Sequence, residues 1–241
     1  MTTTRSRLLA ALIAAPVVVV AVHTAWRLAR TAALVRRSEP LQVAPPQPRK
    51  RLLIVGDSTG VGTGASTSQT SLAGLIAADH PDVAIVNRAS GGATFERIAR
   101  QLEGGGRFDA VLILGGVNDM IRMTGAAALR SALSQVLFLA RGRSDTVVLM
   151  PAGNLGSARF FLWPWSALMT RRARTLHAIA RQSAAAHGAS YVGLFKERAT
   201  DPFALEPDRL NAADGLHPSD AGYALWYHEL SVQSGLADAL R

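Results

Sequence analysis

A chain of 241 residues, 49% of them hydrophobic, can bury one substantial core, which leaves room for a single globular domain with an appendage and not for two domains. The formal net charge of +9 suggests nucleic-acid binding until the charges are placed: residues 1–51 carry nine Arg and Lys against Glu39 alone, while the remaining 190 residues hold 17 bases and 16 acids. The globular part is therefore almost neutral and has no electrostatic footprint for a phosphate backbone, and the absence of cysteine excludes disulfide and thiolate chemistry.

The first predicted element is a membrane helix. Leu8 to Trp26 runs nineteen residues without a formal charge, with Arg5 and Arg7 before it and Arg27, Arg30, Arg36 and Arg37 after, close to the length that crosses a ~30 Å hydrocarbon core. The competing reading is a cleaved signal peptide, which would make the protein secreted or periplasmic. The stretch is long for an h-region of about 7–15 residues, and His23 stands where a cleavage site needs a small residue. Residues 1–39 are thus expected as a transmembrane or signal-anchor segment with basic flanks. The side of the membrane on which the domain lies stays open, because the arginine-rich C-flank and the short basic N-terminus point in opposite directions.

Pro40 to Pro48 holds four prolines in nine residues and is expected as an extended linker, so that the domain occupies 49–241. From there apolar runs bounded by turn residues predict strands at Leu52–Val55, Val83–Val86, Ala110–Leu114, Thr146–Met150 and Tyr191–Phe195. Helical periodicity between them covers about Ser71–Asp79, Phe95–Glu103, Ala126–Ala140 and Ser166–Ala186, with a last helix from Ser219. Five strands alternating with helices, without hairpin turns, predict a parallel five-stranded sheet covered on both faces, a three-layer α/β/α sandwich.

Four short motifs fall after successive strands: Gly56-Asp57-Ser58 after the first, Asn87 with Gly92 after the second, Gly116-Val117-Asn118-Asp119 after the third, and Asp214-Gly215-Leu216-His217 after the fifth. In an open parallel sheet these points share the carboxyl edge, where ligands bind. The motifs resemble the four signature blocks of the SGNH/GDSL hydrolase superfamily, and the element order over roughly residues 50–235 is similar to its flavodoxin-like fold. The resemblance implies Ser58 as nucleophile, His217 as base and Asp214 as the carboxylate that orients it. It also implies an oxyanion hole made of the backbone N–H of Ser58, the backbone N–H of Gly92 and the side-chain amide of Asn118. Gly92 rather than Gly91 is selected because the family glycine lies five positions after an Asn.

Elementary chemistry agrees, since a serine hydroxyl is inert at neutral pH unless an imidazole held in one tautomer takes its proton. Asp214 and His217, three residues apart on a turn that Pro218 ends, suit that task, and Asn118 can donate to an oxyanion without titrating. No His, Asp or Glu cluster has metal-ligand spacing, so neither a metal nor another cofactor is expected. Two rival enzyme readings fail on placement. A nucleophile elbow of the α/β-hydrolase type needs several strands before the serine. Gly60-Val61-Gly62-Thr63-Gly64-Ala65 matches a dinucleotide fingerprint only loosely, and no acid ends the second strand. Besides a nucleotide-binding or inactive binding module, the open alternatives concern substrate: a lipid ester, a short-chain acyl ester, or an O-acetylated carbohydrate. Phe160 to Trp165, with two of the four tryptophans, is either an acyl-binding or interfacial surface or a packed connection. Because Ser58, Asn118 and His217 all lie downstream, a chain starting at Arg49 is expected to keep the chemistry. Oligomeric state is not legible.

Overall fold

The computed structural model describes residues 2–241, with side chains from Val20 onward. Five strands, β1 (Lys50–Gly56), β2 (Val83–Asn87), β3 (Ala110–Gly115), β4 (Thr146–Pro151) and β5 (Ser190–Tyr191), form one sheet in the order β2-β1-β3-β4-β5, every neighbouring pair parallel. The register sets Leu52 beside Ala110 and Val111 beside Val147. Every residue of β3 is buried, which is what a central strand covered on both faces requires and why its sequence reads as a continuous apolar run.

The helices follow in chain order: α1 (Thr2–Arg37), α2 (Ser58–Val61), α3 (Leu72–Asp79), α4 (Phe95–Gln101), α5 (Val117–Ile121), α6 (Ala126–Arg141), α7 (Trp165–Ala186), α8 (Pro202–Leu205), α9 (Pro207–Leu210), α10 (Asp220–Gln233) and α11 (Leu236–Ala239). α4, α6 and α7 pack together on one face of the sheet, and α3 packs with α10 on the other. This is the expected three-layer sandwich. β5 is shorter than the run Tyr191–Phe195, because the chain leaves the sheet at Gly193, whose N–H goes to Gln233 Oε1 on α10 at 2.8 Å.

The membrane span expected over Leu8 to Trp26 is not supported. Among the described residues no helix is long and apolar enough to cross a membrane, and residues 8–19 of that span lie outside those whose side chains are described. The proline-rich stretch runs along the free edge of β2. Val43 and Ile85 exchange backbone hydrogen bonds of 3.1 and 2.9 Å as an isolated antiparallel bridge, and the Gln42 side chain bonds both the N–H and the C=O of Asn87. An edge strand left bare would present unpaired backbone groups, and the stretch satisfies part of that row.

Candidate active site

β1 ends at Gly56, and the chain turns at once into α2, whose first residue is Ser58. Asp57 caps that helix: its Oδ1 accepts the Thr59 N–H at 2.9 Å and the Thr59 hydroxyl at 2.8 Å. Burial pushes the Asp57 carboxyl up, against the pull of these Thr59 bonds and the nearby His217. α2 is braced from α10 by the fully buried Tyr223, whose hydroxyl donates to Thr63 O at 2.8 Å. It is also braced from the end of β2 by Asn87 Nδ2, which donates to Gly60 O at 2.9 Å.

Residues 211–218 form a turn closed by a bridge between Asn211 and Pro218. It brings His217 against Ser58, with Nε2 2.8 Å from Ser58 Oγ, while His217 Nδ1 lies 2.6 Å from Asp214 Oδ2. A carboxylate only accepts, so Nδ1 carries the proton and Nε2 is left to receive the serine hydroxyl. Asp214 is fully buried, and its Oδ1 accepts the N–H groups of Leu216 and His217 at 2.9 and 3.1 Å. Burial pushes the Asp214 carboxyl up, but the hydrogen bond and charge of His217 and those two N–H groups outweigh it and hold the carboxyl below its usual range. Ser58 and His217 are 7% and 4% exposed, so their contact is shielded from bulk water.

Asn118 projects from α5, and one of its Nδ2 hydrogens goes to Ala93 O at 3.0 Å, which leaves the other for a ligand. Gly92 sits in the left-handed region with φ +77°, where a side chain would be strained, and its C=O accepts from Arg122 Nη2 at 3.3 Å; Gly91 has no positive φ. The loops after β1, β2 and β3 and the 211–218 turn thus bring Ser58, Gly92, Asn118, Asp214 and His217 to the carboxyl edge of the sheet. Beside His217 opens a cavity of about 50 Å³, lined among others by Thr59, Val117, Leu155, Leu194 and Trp226.

Several supporting residues were not visible in sequence. Asp119 Oδ2 accepts the Phe95 N–H at 3.1 Å, capping α4, whose Thr94 gives no side-chain cap. Burial pushes its carboxyl up to about 6, against the bonds from Phe95 and Thr124 and with a contribution from the Asp57 charge. Arg172 of α7 donates to the carbonyls of Asp119, Met120 and Thr124 at 2.7–3.1 Å and so holds the end of α5. The only hint in sequence is an Asp directly after Asn118. His177 serves structure: Nε2–H donates to Ala152 O at 2.8 Å, Nδ1 accepts from the Tyr191 hydroxyl at 2.5 Å, and burial lowers its pKa to about 4.

Solved structures share the fold. An α/β hydrolase from the metagenome of Lake Arreo superimposes with TM-score 0.60 at 20% identity, covering 80% of this chain and 97% of that one. A member of the lipolytic G-D-S-L family from Veillonella parvula gives TM-score 0.59 at 15% identity, with 76% and 96% covered, and an acetyl xylan esterase variant from Geobacillus stearothermophilus gives 0.57 at 20%, with 77% and 94% covered. The sheet order is the three-layer α/β arrangement shared with hydrolases of the SGNH type. The chain belongs to the GDSL-like lipase/acylhydrolase family, whose model matches residues 54–225. It is also 29% identical over 201 residues to a GDSL-like esterase of Mycobacterium tuberculosis, covering 79% of this chain and 61% of that protein's length.

Proposed function

We propose that the protein is a serine hydrolase of carboxylic esters. Ser58 Oγ attacks the acyl carbon as His217 Nε2 takes its proton. Asp214 keeps Nδ1 protonated and stabilises the imidazolium that forms. The negative charge that develops on the carbonyl oxygen is received by the N–H groups of Ser58 and Gly92 and the free Nδ2 hydrogen of Asn118. Collapse of the tetrahedral intermediate expels the alcohol, protonated by His217, and leaves an acyl-serine that water cleaves by the same steps in reverse roles. The observation that carries the proposal is the unbroken chain Ser58–His217–Asp214, with contacts of 2.8 and 2.6 Å inside a shielded site.

The small, mostly apolar cavity beside His217 favours a short acyl group. Its lining includes His217 but not Ser58, and at about 50 Å³ it has room for a few waters, so a short acyl chain reaching into it from Ser58 fits better than a long one. An acetylated carbohydrate is therefore as fitting a substrate as a simple short-chain ester. A lipid ester is favoured by a different feature, the exposed rings of Trp163 and Trp165, at 82% and 53%. The test is p-nitrophenyl acetate hydrolysis by Ser58→Ala and His217→Ala: each is expected to lose activity by about 10³-fold or more with the fold intact. Full activity in a verified Ser58→Ala sample would sink the mechanism.

A further inference from the structure

None of the catalytic roles proposed above falls on a residue before β1, yet α1 lies against the back of the 211–218 turn. Arg27 and Arg30 each direct Nη1 at Ala213 O, at 3.4 and 3.2 Å, and the Thr31 hydroxyl donates to Asp214 Oδ2 at 3.0 Å. Spaced i, i+3 and i+4, the three side chains share one face of the helix. The approach is close because residue 215 is glycine, with φ +69°; a Cβ there would collide with the Arg27 guanidinium.

We infer that Thr31 is a positioning residue of the triad, acting on Ser58 through Asp214 and His217. The carboxylate of Asp214 has four acceptor directions to fill. Its Oδ1 takes two backbone N–H groups of its own turn, and its Oδ2 takes His217 Nδ1–H, the bond on which tautomer and ring orientation depend. Thr31 fills the fourth, on that same Oδ2, and is the donor that comes from outside the turn. Without it Oδ2 keeps a single donor, its orientation is less firmly fixed, and so is that of the His217 ring it holds. Thr31 also departs from the ordinary behaviour of a helical threonine. Thr24, one helical stretch earlier, turns its hydroxyl back to Val20 O at 2.8 Å, as helix threonines do, whereas Thr31 spends its hydroxyl on the acid. The sequence expectation that a chain starting at Arg49 keeps the full chemistry does not allow for this bond.

This inference rests on the proposed triad. Its test compares Thr31→Val, Thr31→Ser and Ser58→Ala in the full chain on p-nitrophenyl acetate. Thr31→Val is nearly isosteric and is expected to lower kcat about 10-fold with KM unchanged, because Thr31 touches no substrate; Thr31→Ser restores kcat to within about 2-fold. If Thr31→Val folds poorly, Thr31→Ala removes the same hydroxyl at a position where a helix accepts alanine. A wild-type kcat without the hydroxyl overturns the inference, and so does a Thr31→Ser enzyme as slow as Thr31→Val, which would assign the role to the methyl group. With Ser58→Ala inactive in the same series, either outcome removes Thr31 and leaves the triad. An active Ser58→Ala enzyme removes both.

Discussion

At the scale of single residues, the site separates its carboxylates by environment. Asp214 is buried but fully hydrogen-bonded and held ionised, so it can face an imidazolium. Asp214→Asn replaces an acceptor with a group able to donate to His217 Nδ1, which fixes the wrong tautomer; kcat is expected to fall by about 10³ to 10⁴ while KM and Tm stay near wild type. Asp119 has the opposite sign. Its folded pKa of about 6 lies above the ordinary 3.8, so the folded state holds its proton more tightly than the unfolded chain does. Stability from this residue is present below about pH 4 and is lost as pH rises through about 6, a change of roughly 1–3 kcal/mol. Asp119→Asn keeps an acceptor for the Phe95 N–H and removes the titration. The Tm of the variant minus that of wild type should therefore rise between pH 4 and pH 7. A difference that is flat with pH, or that falls, would contradict the assignment; the lowered His177 pKa acts in the other direction but is common to both proteins.

At the scale of elements, the long helices and strands were legible because each combines an apolar face with turn residues at its ends. The short helices α2 and α5, which carry Ser58 and Asn118, were not: four or five residues are too few for any periodicity. They are held by tertiary partners that sequence spacing does not reveal, Tyr223 for α2 and Arg172 for α5. Arg172→Ala would take one donor from each of three carbonyls, of which Asp119 O and Met120 O keep a backbone N–H, and is expected to cost about 2 kcal/mol, roughly 4–8 °C in Tm. Because α5 carries Asn118, kcat should fall as well; unchanged Tm and kcat would mean that α5 holds itself. Phe160 to Trp165 divides. Phe161 packs against the core, whereas Trp163 and Trp165 stand in solvent. Changing both tryptophans to Ala should leave Tm unchanged within about 2 °C, and a larger fall would return them to the core. If their rings meet long acyl chains, the same variant loses kcat/KM about 10-fold for octanoyl esters and none for acetyl esters.

At the scale of the molecule, the motifs could be read as one candidate site because each follows a different strand of one parallel sheet, whose carboxyl edge collects them. Less of the N-terminal fifth was legible. Composition marked residues 1–48 as an anchor and a linker, yet Thr31, Gln42 and Val43 each bond to the catalytic turn or to β2. Such contacts leave no periodic signal, because each is a single side chain or bridge meeting a segment distant in sequence. Removing residues 1–48 is accordingly expected to lower both Tm and kcat; a truncated protein matching wild type in both would show these contacts to be idle. The central claim, nucleophilic catalysis by Ser58, is tested most directly by treating the full chain with a fluorophosphonate and locating the adduct by peptide mass spectrometry. This mechanism predicts one stoichiometric adduct on Ser58, formed in step with the loss of ester hydrolysis. Complete labelling of another residue, or hydrolysis that persists with Ser58 fully modified, would contradict it.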